Sequence, residues 1–314
     1  MILLNLFFSG LINSQITNAN VSYGRVEIYD CEFLQLESSN GGAVCLSNCG
    51  ATNVFVEQSV FHKCKATGNG GSLYLVSDSS NYSFLKVCIS ESLASIGAVM
   101  YSSTSNSELY YHSYDQISIT KSCPVSVSGY KYSLNTYYGQ NIMRRSNFSN
   151  SISLHALCAI FYTANLNHLF NNLESNPTDI IIGVVSSPIK FPIFKCNFVK
   201  NIHGATNPYG IIHNNGCSPY LNASDCVFIN NTIRTIDEYS GKVYFFNCLL
   251  DTFSCNGSPV LINCITNTYA TTYNNEFYST NYCINGNYRF QTNSIVRKSI
   301  LMICTFPIFS ILKT

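Results

Sequence analysis

The chain has 314 residues with a formal net charge of +1 and only 11% charged residues; its basic residues are scattered, with Arg144-Arg145 and Arg297-Lys298 as the only adjacent pairs. That excludes the basic stripe needed to neutralise a phosphate backbone, so no nucleic acid is expected as a partner. Hydrophobic residues make up 46%, enough for a sizeable core, while the polarity rests on Asn, Ser, Thr and Tyr with no Trp, a composition suited to turns and short half-buried strands.

The first segment, 1–20, begins MILLNLFFSGL, which has the length of a secretory apolar region but no Lys or Arg ahead of it and a poor cleavage site at Asn13-Ser14-Gln15. It reads either as a signal peptide or as an N-terminal cap strand. From residue 21 the chain repeats itself. VEIYDCEF (Val26 to Phe33) matches VFVEQSVF (Val54 to Phe61), and FLKVCI (Phe84 to Ile89) begins a third copy. Asn40-Gly41-Gly42-Ala43-Val44 aligns with Asn69-Gly70-Gly71-Ser72-Leu73 and, more loosely, with Ser95-Ile96-Gly97-Ala98-Val99. Residues 102–145 lack the motif and read as irregular coils rather than a second domain, although IMRRSNFSNSISL and DIIIGVV look like strands. A second series follows in FKCNFVKN (Phe194 to Asn201), SDCVFINN (Ser224 to Asn231), FFNCLLDT (Phe245 to Thr252) and LINCITNT (Leu261 to Thr268), with successive cysteines 30, 22 and 16 residues apart. Residues 293–314 form an apolar C-terminal tail. Its core, Ser299 to Leu312, contains Pro307 and is 14 residues long, against the roughly 17–25 that a spanning helix needs; a membrane anchor and a packed tail both stay open.

Periods of this size belong to repeat architectures, because one unit cannot bury its apolar face alone. The runs alternate apolar and polar over four to eight residues and are cut by Gly and Asn, so the units are strands. A propeller blade needs about 40 residues, whereas a period of 22 to 30 fits one turn of a parallel β-helix. The predicted fold is therefore all-β, a right-handed parallel β-helix of about ten coils over residues 21–292, the hand following the usual rule for parallel crossovers. Phe33 and Phe61 are expected to stack inside about 4.8 Å apart. Asn-Gly-Gly is expected to turn a corner, since both residue types accept positive φ.

The Gly-Gly-Ala-Val and Gly-Gly-Ser-Leu runs, with Phe198-Val-Lys-Asn201 and Phe228-Ile-Asn-Asn231, resemble the GGA-aliphatic and F-x-x-N repeats of chlamydial polymorphic outer-membrane proteins. VEQSVFHKCKATGNGGSLYL, YGQNIM and the FKCNF and DCVFINN coils are similar, over nearly the whole chain, to the trichomonad families of right-handed β-helix proteins. That resemblance implies a pectate-lyase-like solenoid in an extracellular or cell-surface setting and carries over no catalytic residue. These 314 residues depart from the bacterial pattern in that no autotransporter barrel is expected among them.

The chemistry that the residues suggest is sparse. Cys31, Cys196, Cys226, Cys248 and Cys264 recur at one phase, which reads as a core ladder of free thiols; parallel Cβ vectors one strand apart overshoot disulfide geometry. A partial disulfide set among the 15 cysteines is the alternative. Cys45, Cys49, His62 and Cys64 make the one grouping that resembles a zinc set, with spacings that match common sites poorly, so no metal and no cofactor are assigned. Asp30 and Asp225 share a repeat position with Gln58, Lys86 and Lys195, which disperses any acidic cluster. The six histidines stand alone and read as loop or face residues, and no catalytic residue is assigned. The expected function is a non-catalytic surface or extracellular scaffold, a monomer that binds glycans or surface proteins through a Tyr-, Asn- and Ser-rich face. Loops such as Glu37 to Asn40 and Lys65 to Asn69 would align along one edge. The rival readings are a polysaccharide lyase or glycoside hydrolase on the same fold, and an incomplete gene product.

Overall fold

The computed structural model describes residues 4–272 apart from 13, 18–23, 48–51, 105–109, 125–131, 154, 163–164, 170, 175, 179, 186–190, 204–208 and 268–270. The described residues form strands and turns with no helix among them, and the strand pairs are parallel. The fold is a parallel β-solenoid. The C-terminal tail assigned to 293–314 lies outside the described residues.

Turns of the solenoid contribute to three long ladders, and a fourth, of the two-residue strands Glu37–Ser38, Lys65–Ala66, Leu93–Ala94 and Cys123–Pro124, runs beside them. One contains Gly24–Leu34, Thr52–Glu57, Asn81–Leu85, Tyr111–Asp115, Gln140–Arg144 and Asn165–Leu169 in continuous register. A second, of short strands, runs from Val60–His62 through Cys88–Ser90, Ser118–Thr120, Asn147–Ser149, Asn172–Glu174 and Asn197–Val199 to Val227–Ile229. The third contains Val44–Ser47, Leu73–Val76, Met100–Ser103, Tyr132–Tyr137, Ala156–Phe161 and Ile180–Val185. Leu4–Ile12 pairs in parallel with Gly24–Leu34 as one more strand of the first ladder.

The core follows from the period-two alternation within each strand. In Leu73–Val76, Leu73 and Leu75 are buried while Tyr74 and Val76 face outward. Phe33, Phe61, Ile89, Ile119, Phe148, Leu173, Phe198, Phe228 and Leu250 occupy one register position and are all buried. The expected phenylalanine stack is present, with Phe33 and Phe61 4.7 Å apart and 3° from parallel. Phe198 and Phe228 repeat it at 4.7 Å and 8°.

Corners are made in two ways. At Asn-Gly-Gly, Gly41 and Gly70 take φ of 57° and 67°, and a Cβ there would run into the carbonyl oxygens of Val44 and Leu73. The other corners use polar residues in the same left-handed region. Asp30, Gln58, Lys86, Gln116, Arg145, Lys195, Asp225, Asn247 and Asn263 all have φ between 48° and 55°, a conformation that costs a non-glycine residue roughly 1–2 kcal/mol. The residue after each of these corners is buried or partly buried, and its N–H needs a partner. At some corners a side chain one turn further on supplies it: Ser59 Oγ accepts from Cys31 N at 3.1 Å, and Asn171 Oδ1 accepts from Ser146 N at 3.0 Å.

A second corner ladder explains the F-x-x-N motif. Asn176, Asn201 and Asn231 stack, with Asn176 N donating to Asn201 Oδ1 at 3.2 Å and Asn201 N donating to Asn231 Oδ1 at 3.0 Å. The Nδ2 groups donate to Phe148 O, Leu173 O and Phe198 O in turn. Phenylalanine fills the interior while asparagine three residues later closes the backbone hydrogen bonds that the corner leaves open.

Strands pair in register through the described parts of 102–145, where the interior changes character. Ser102, Thr136 and the hydroxyl of Tyr114 form a buried cluster with separations of 3.3 to 3.5 Å, and His112 and Asn141 occupy inward positions equivalent to Val26 and Val54. Polar residues at core positions remove the apolar alternation by which the other coils are recognisable in sequence.

Candidate functional site

The outward side of the third ladder carries the most organised surface. Tyr74 and Tyr101 face each other across one turn at 5.5 Å and 23°. Tyr137 continues the row from Tyr101 at 5.7 Å, and Phe161 stacks on Tyr137 at 4.6 Å and 13°. All four rings are part exposed, forming an aromatic stripe along the rod at about the strand spacing. Tyr138 and Tyr162, stacked at 5.5 Å, border it from the adjoining corner, where both take positive φ. Burial raises the Tyr101 hydroxyl to about 12, with the neighbouring Tyr137 and Tyr74 adding to the shift. The stripe is uncharged at neutral pH and offers ring faces and hydroxyl donors, the combination found in sites that combine apolar contact with oriented hydrogen bonds.

Further along the same flank, His213 Nδ1 lies 2.7 Å from Asp237 Oδ2, and both side chains are almost fully buried. Asn256 Nδ2 donates to the other carboxylate oxygen at 2.8 Å. Tyr209 packs edge-on against the His213 ring at 4.9 Å, and His155 lies beyond Tyr209 at 6.0 Å. Burial lowers the His213 pKa, while the hydrogen bond and charge of Asp237 oppose that shift. Glu238, next in sequence, accepts from Val243 N at 2.8 Å and Ser258 N at 2.7 Å; it braces two backbone segments and does not join Asp237.

A third feature is a shallow groove at the edge, lined by Gln35, Glu37, Lys63, Lys65, Glu91, Leu93 and Lys121. The expected alignment of edge loops is present: Glu37 pairs with Lys65 in register, and Asn69 N donates to Asn40 Oδ1 at 2.9 Å. Lys65 lies 3.3 Å from Glu37 and Lys63 3.7 Å from Glu91. Both pairs are well exposed and add little stability.

The residues singled out in the sequence are dispersed. Cys64 is buried with Sγ donating to Phe33 O at 3.6 Å, His62 Nδ1 lies 2.9 Å from Ser90 Oγ, and Cys45 lies on the outward side in register with Tyr74. The side chain of Cys49 is outside the described residues. Cys31, Cys196, Cys226 and Cys248 are buried free thiols, and Cys264 is a part-exposed one. Burial is the leading cause that raises Cys31 to about 12, whereas Cys88 is disulfide-bonded. Asp30 and Asp225 are both left-handed corner residues. The reading of the histidines as loop or face residues needs correcting. His112 and His168 are fully buried, each pushed down to about 3 by burial, and His213 is paired with a carboxylate. Sequence offered no signal for the His213–Asp237 pair, because its members are 24 residues apart and meet only through strand register.

The fold and surface define a parallel β-solenoid with an aromatic flank and a charged edge. Comparison of the chain with protein-family models, with curated proteins and with solved structures gives no match.

Proposed function

We propose that the protein is a non-catalytic scaffold of the extracellular or cell-surface kind, binding glycans or surface proteins through its long lateral face. The observation that supports this reading is the row Tyr74, Tyr101, Tyr137 and Phe161. Four part-exposed rings held by the backbone repeat form a rigid surface that loses little side-chain entropy when covered. The similarity of the Gly-Gly and F-x-x-N runs to chlamydial and trichomonad repeats points the same way, and the winding proposed with it is right-handed and pectate-lyase-like. The test is a glycan array probed with the full chain, alongside a Tyr74→Ala/Tyr101→Ala/Tyr137→Ala variant. Binding that the variant loses while keeping its β-sheet circular dichroism supports the proposal; equal binding by both proteins overturns it.

The rival reading, a polysaccharide lyase or hydrolase, draws on the His213–Asp237 pair, since a carboxylate-oriented imidazole is a general-base arrangement. New reducing ends or unsaturated products from pectin, polygalacturonate or mucin-type glycans, abolished by His213→Gln, would move it to first place.

A further inference from the structure

Asn-x-Ser/Thr sequences, the acceptor signal for N-linked glycosylation, begin at Asn20, Asn81, Asn147, Asn222, Asn230 and Asn256. Chance supplies such triplets in a chain this rich in Asn, Ser and Thr, so the sequence does not choose among them; Asn20 lies outside the described residues. The fold does choose. Asn147 is 2% exposed within a short strand of the second ladder, and its Nδ2 donates to Ser149 Oγ at 3.5 Å. Asn81 is held on both sides, with Nδ2 donating to Asn53 Oδ1 and Oδ1 accepting from Tyr111 N, each at 2.8 Å. Asn256 Nδ2 donates to the carboxylate of buried Asp237 at 2.8 Å, and Asn222 is part buried within Gly210–Ser224 with its Oδ1 shut off from solvent.

Asn230 differs from all of these. It is exposed at the left-handed corner that follows the second ladder, with φ of 53°. Its backbone N–H donates to the Asp251 carboxylate, while its side-chain amide forms no hydrogen bond among the described residues. Asn231 turns inward to the asparagine ladder, with Nδ2 donating to Phe198 O at 2.8 Å, so the corner presents Asn230 and the exposed Thr232 outward. Lys121, Asn150 and Lys200 are left-handed corners after the same ladder and are exposed as well, so a bulky substituent at this position meets solvent and not a neighbouring coil.

We propose that Asn230 is an N-glycosylation site. The inference rests on the extracellular reading above, because the donor is a lipid pyrophosphate-linked oligosaccharide of the secretory pathway. Asn230 Nδ2 forms a bond to the anomeric carbon of that sugar and the anomeric C–O bond to pyrophosphate breaks; the lipid pyrophosphate leaves with the electron pair, and Nδ2 gives up one proton to a base of the transferase. The glycan stands on the corner after the second ladder, whereas the aromatic stripe lies on the third, so the stripe stays open.

Expression of the full chain in eukaryotic cells that carry out N-glycosylation tests this, with glycosidase release in heavy-oxygen water marking each formerly glycosylated asparagine for mass spectrometry. Asn230 is expected to be marked in most molecules and Asn147 in none. Thr232→Ala is expected to abolish the mark at Asn230 and Thr232→Ser to retain it. Asn230→Gln is expected to lose one glycan from the intact mass and to keep its β-sheet circular dichroism, since Gln35, Gln58 and Gln116 already take this backbone conformation. Glycans at other positions with none at Asn230 overturn the proposal and leave the extracellular reading standing, as does Asn147 marked as fully as Asn230. A chain retained in the cytosol with no asparagine marked overturns both.

Discussion

Acidification from pH 7 to pH 5 is expected to destabilise the middle of the solenoid before any carboxylate chemistry intervenes. His112 and His168 are fully buried and held neutral, each pushed down to about 3 by burial; at His112 the neighbouring Asn141 side chain only partly opposes the shift. In the unfolded chain both take the ordinary value of about 6.5. Above that value neither state binds the proton and stability does not depend on these groups. Below it the unfolded chain gains protons that the folded chain refuses, so stability falls with falling pH until the folded values are reached near pH 3. The slope is about 1.4 kcal/mol per pH unit for each histidine, which gives about 2 kcal/mol each and about 4 kcal/mol together at pH 5. A whole domain usually has about 5–15 kcal/mol to lose. His213, also lowered by burial, acts in the same direction, while carboxylates with ordinary values near 4 contribute mainly below this window. Urea unfolding followed by tyrosine fluorescence at pH 7, 6 and 5 measures the effect without interference, since the chain has no Trp. The His112→Gln/His168→Gln variant should show a clearly shallower dependence. An unfolding midpoint that is the same at pH 5 and pH 7, or a double variant with the original slope, would refute the reasoning.

Phe61→Ala should cost about 3–5 kcal/mol in urea unfolding, because it empties one position of a buried aromatic ladder; a loss below about 0.5 kcal/mol would contradict the stacking. Asn201→Ala removes the acceptor for Asn176 and the donor to Leu173 O and Asn231, and about 2–4 kcal/mol should be lost, with faster exchange concentrated in 171–231. A thiol reagent should modify exposed Cys255 in the native protein well before buried Cys31, Cys64, Cys158, Cys196, Cys226 and Cys248, as counted by mass before and after unfolding without reductant. Tyr101→Ala should weaken any glycan or protein bound on the aromatic stripe about tenfold, the usual loss when a central aromatic contact of about 1–2 kcal/mol is truncated; titration of the ligand found on the array measures it.

The sequence alone determined the solenoid and much of its internal order. Alternation of period two within short runs, repeated at solenoid spacing, leaves stacking of strands as the way to bury the apolar face, so Phe33 and Phe61, the Asn-Gly-Gly corners and the cysteine ladder were all legible. The shared position of Asp30, Gln58, Lys86 and Lys195 was legible too, but not its left-handed backbone, since Lys and Gln carry no local signal for positive φ. The coils between 102 and 145 were obscured for a different reason. Ser102, Tyr114 and Thr136 cluster across turns and His112 and Asn141 stand at inward positions, and a polar interior has no hydrophobic period. Only the tertiary structure decided what faces what around the rod. The aromatic stripe depends on register between Tyr74 and Tyr101 and on the step to Tyr137, and the His213–Asp237 contact depends on which turn lies beside which. Loop lengths vary from coil to coil, so the distance along the chain between touching residues varies as well, and hydrogen-bonded strand register fixes the partners.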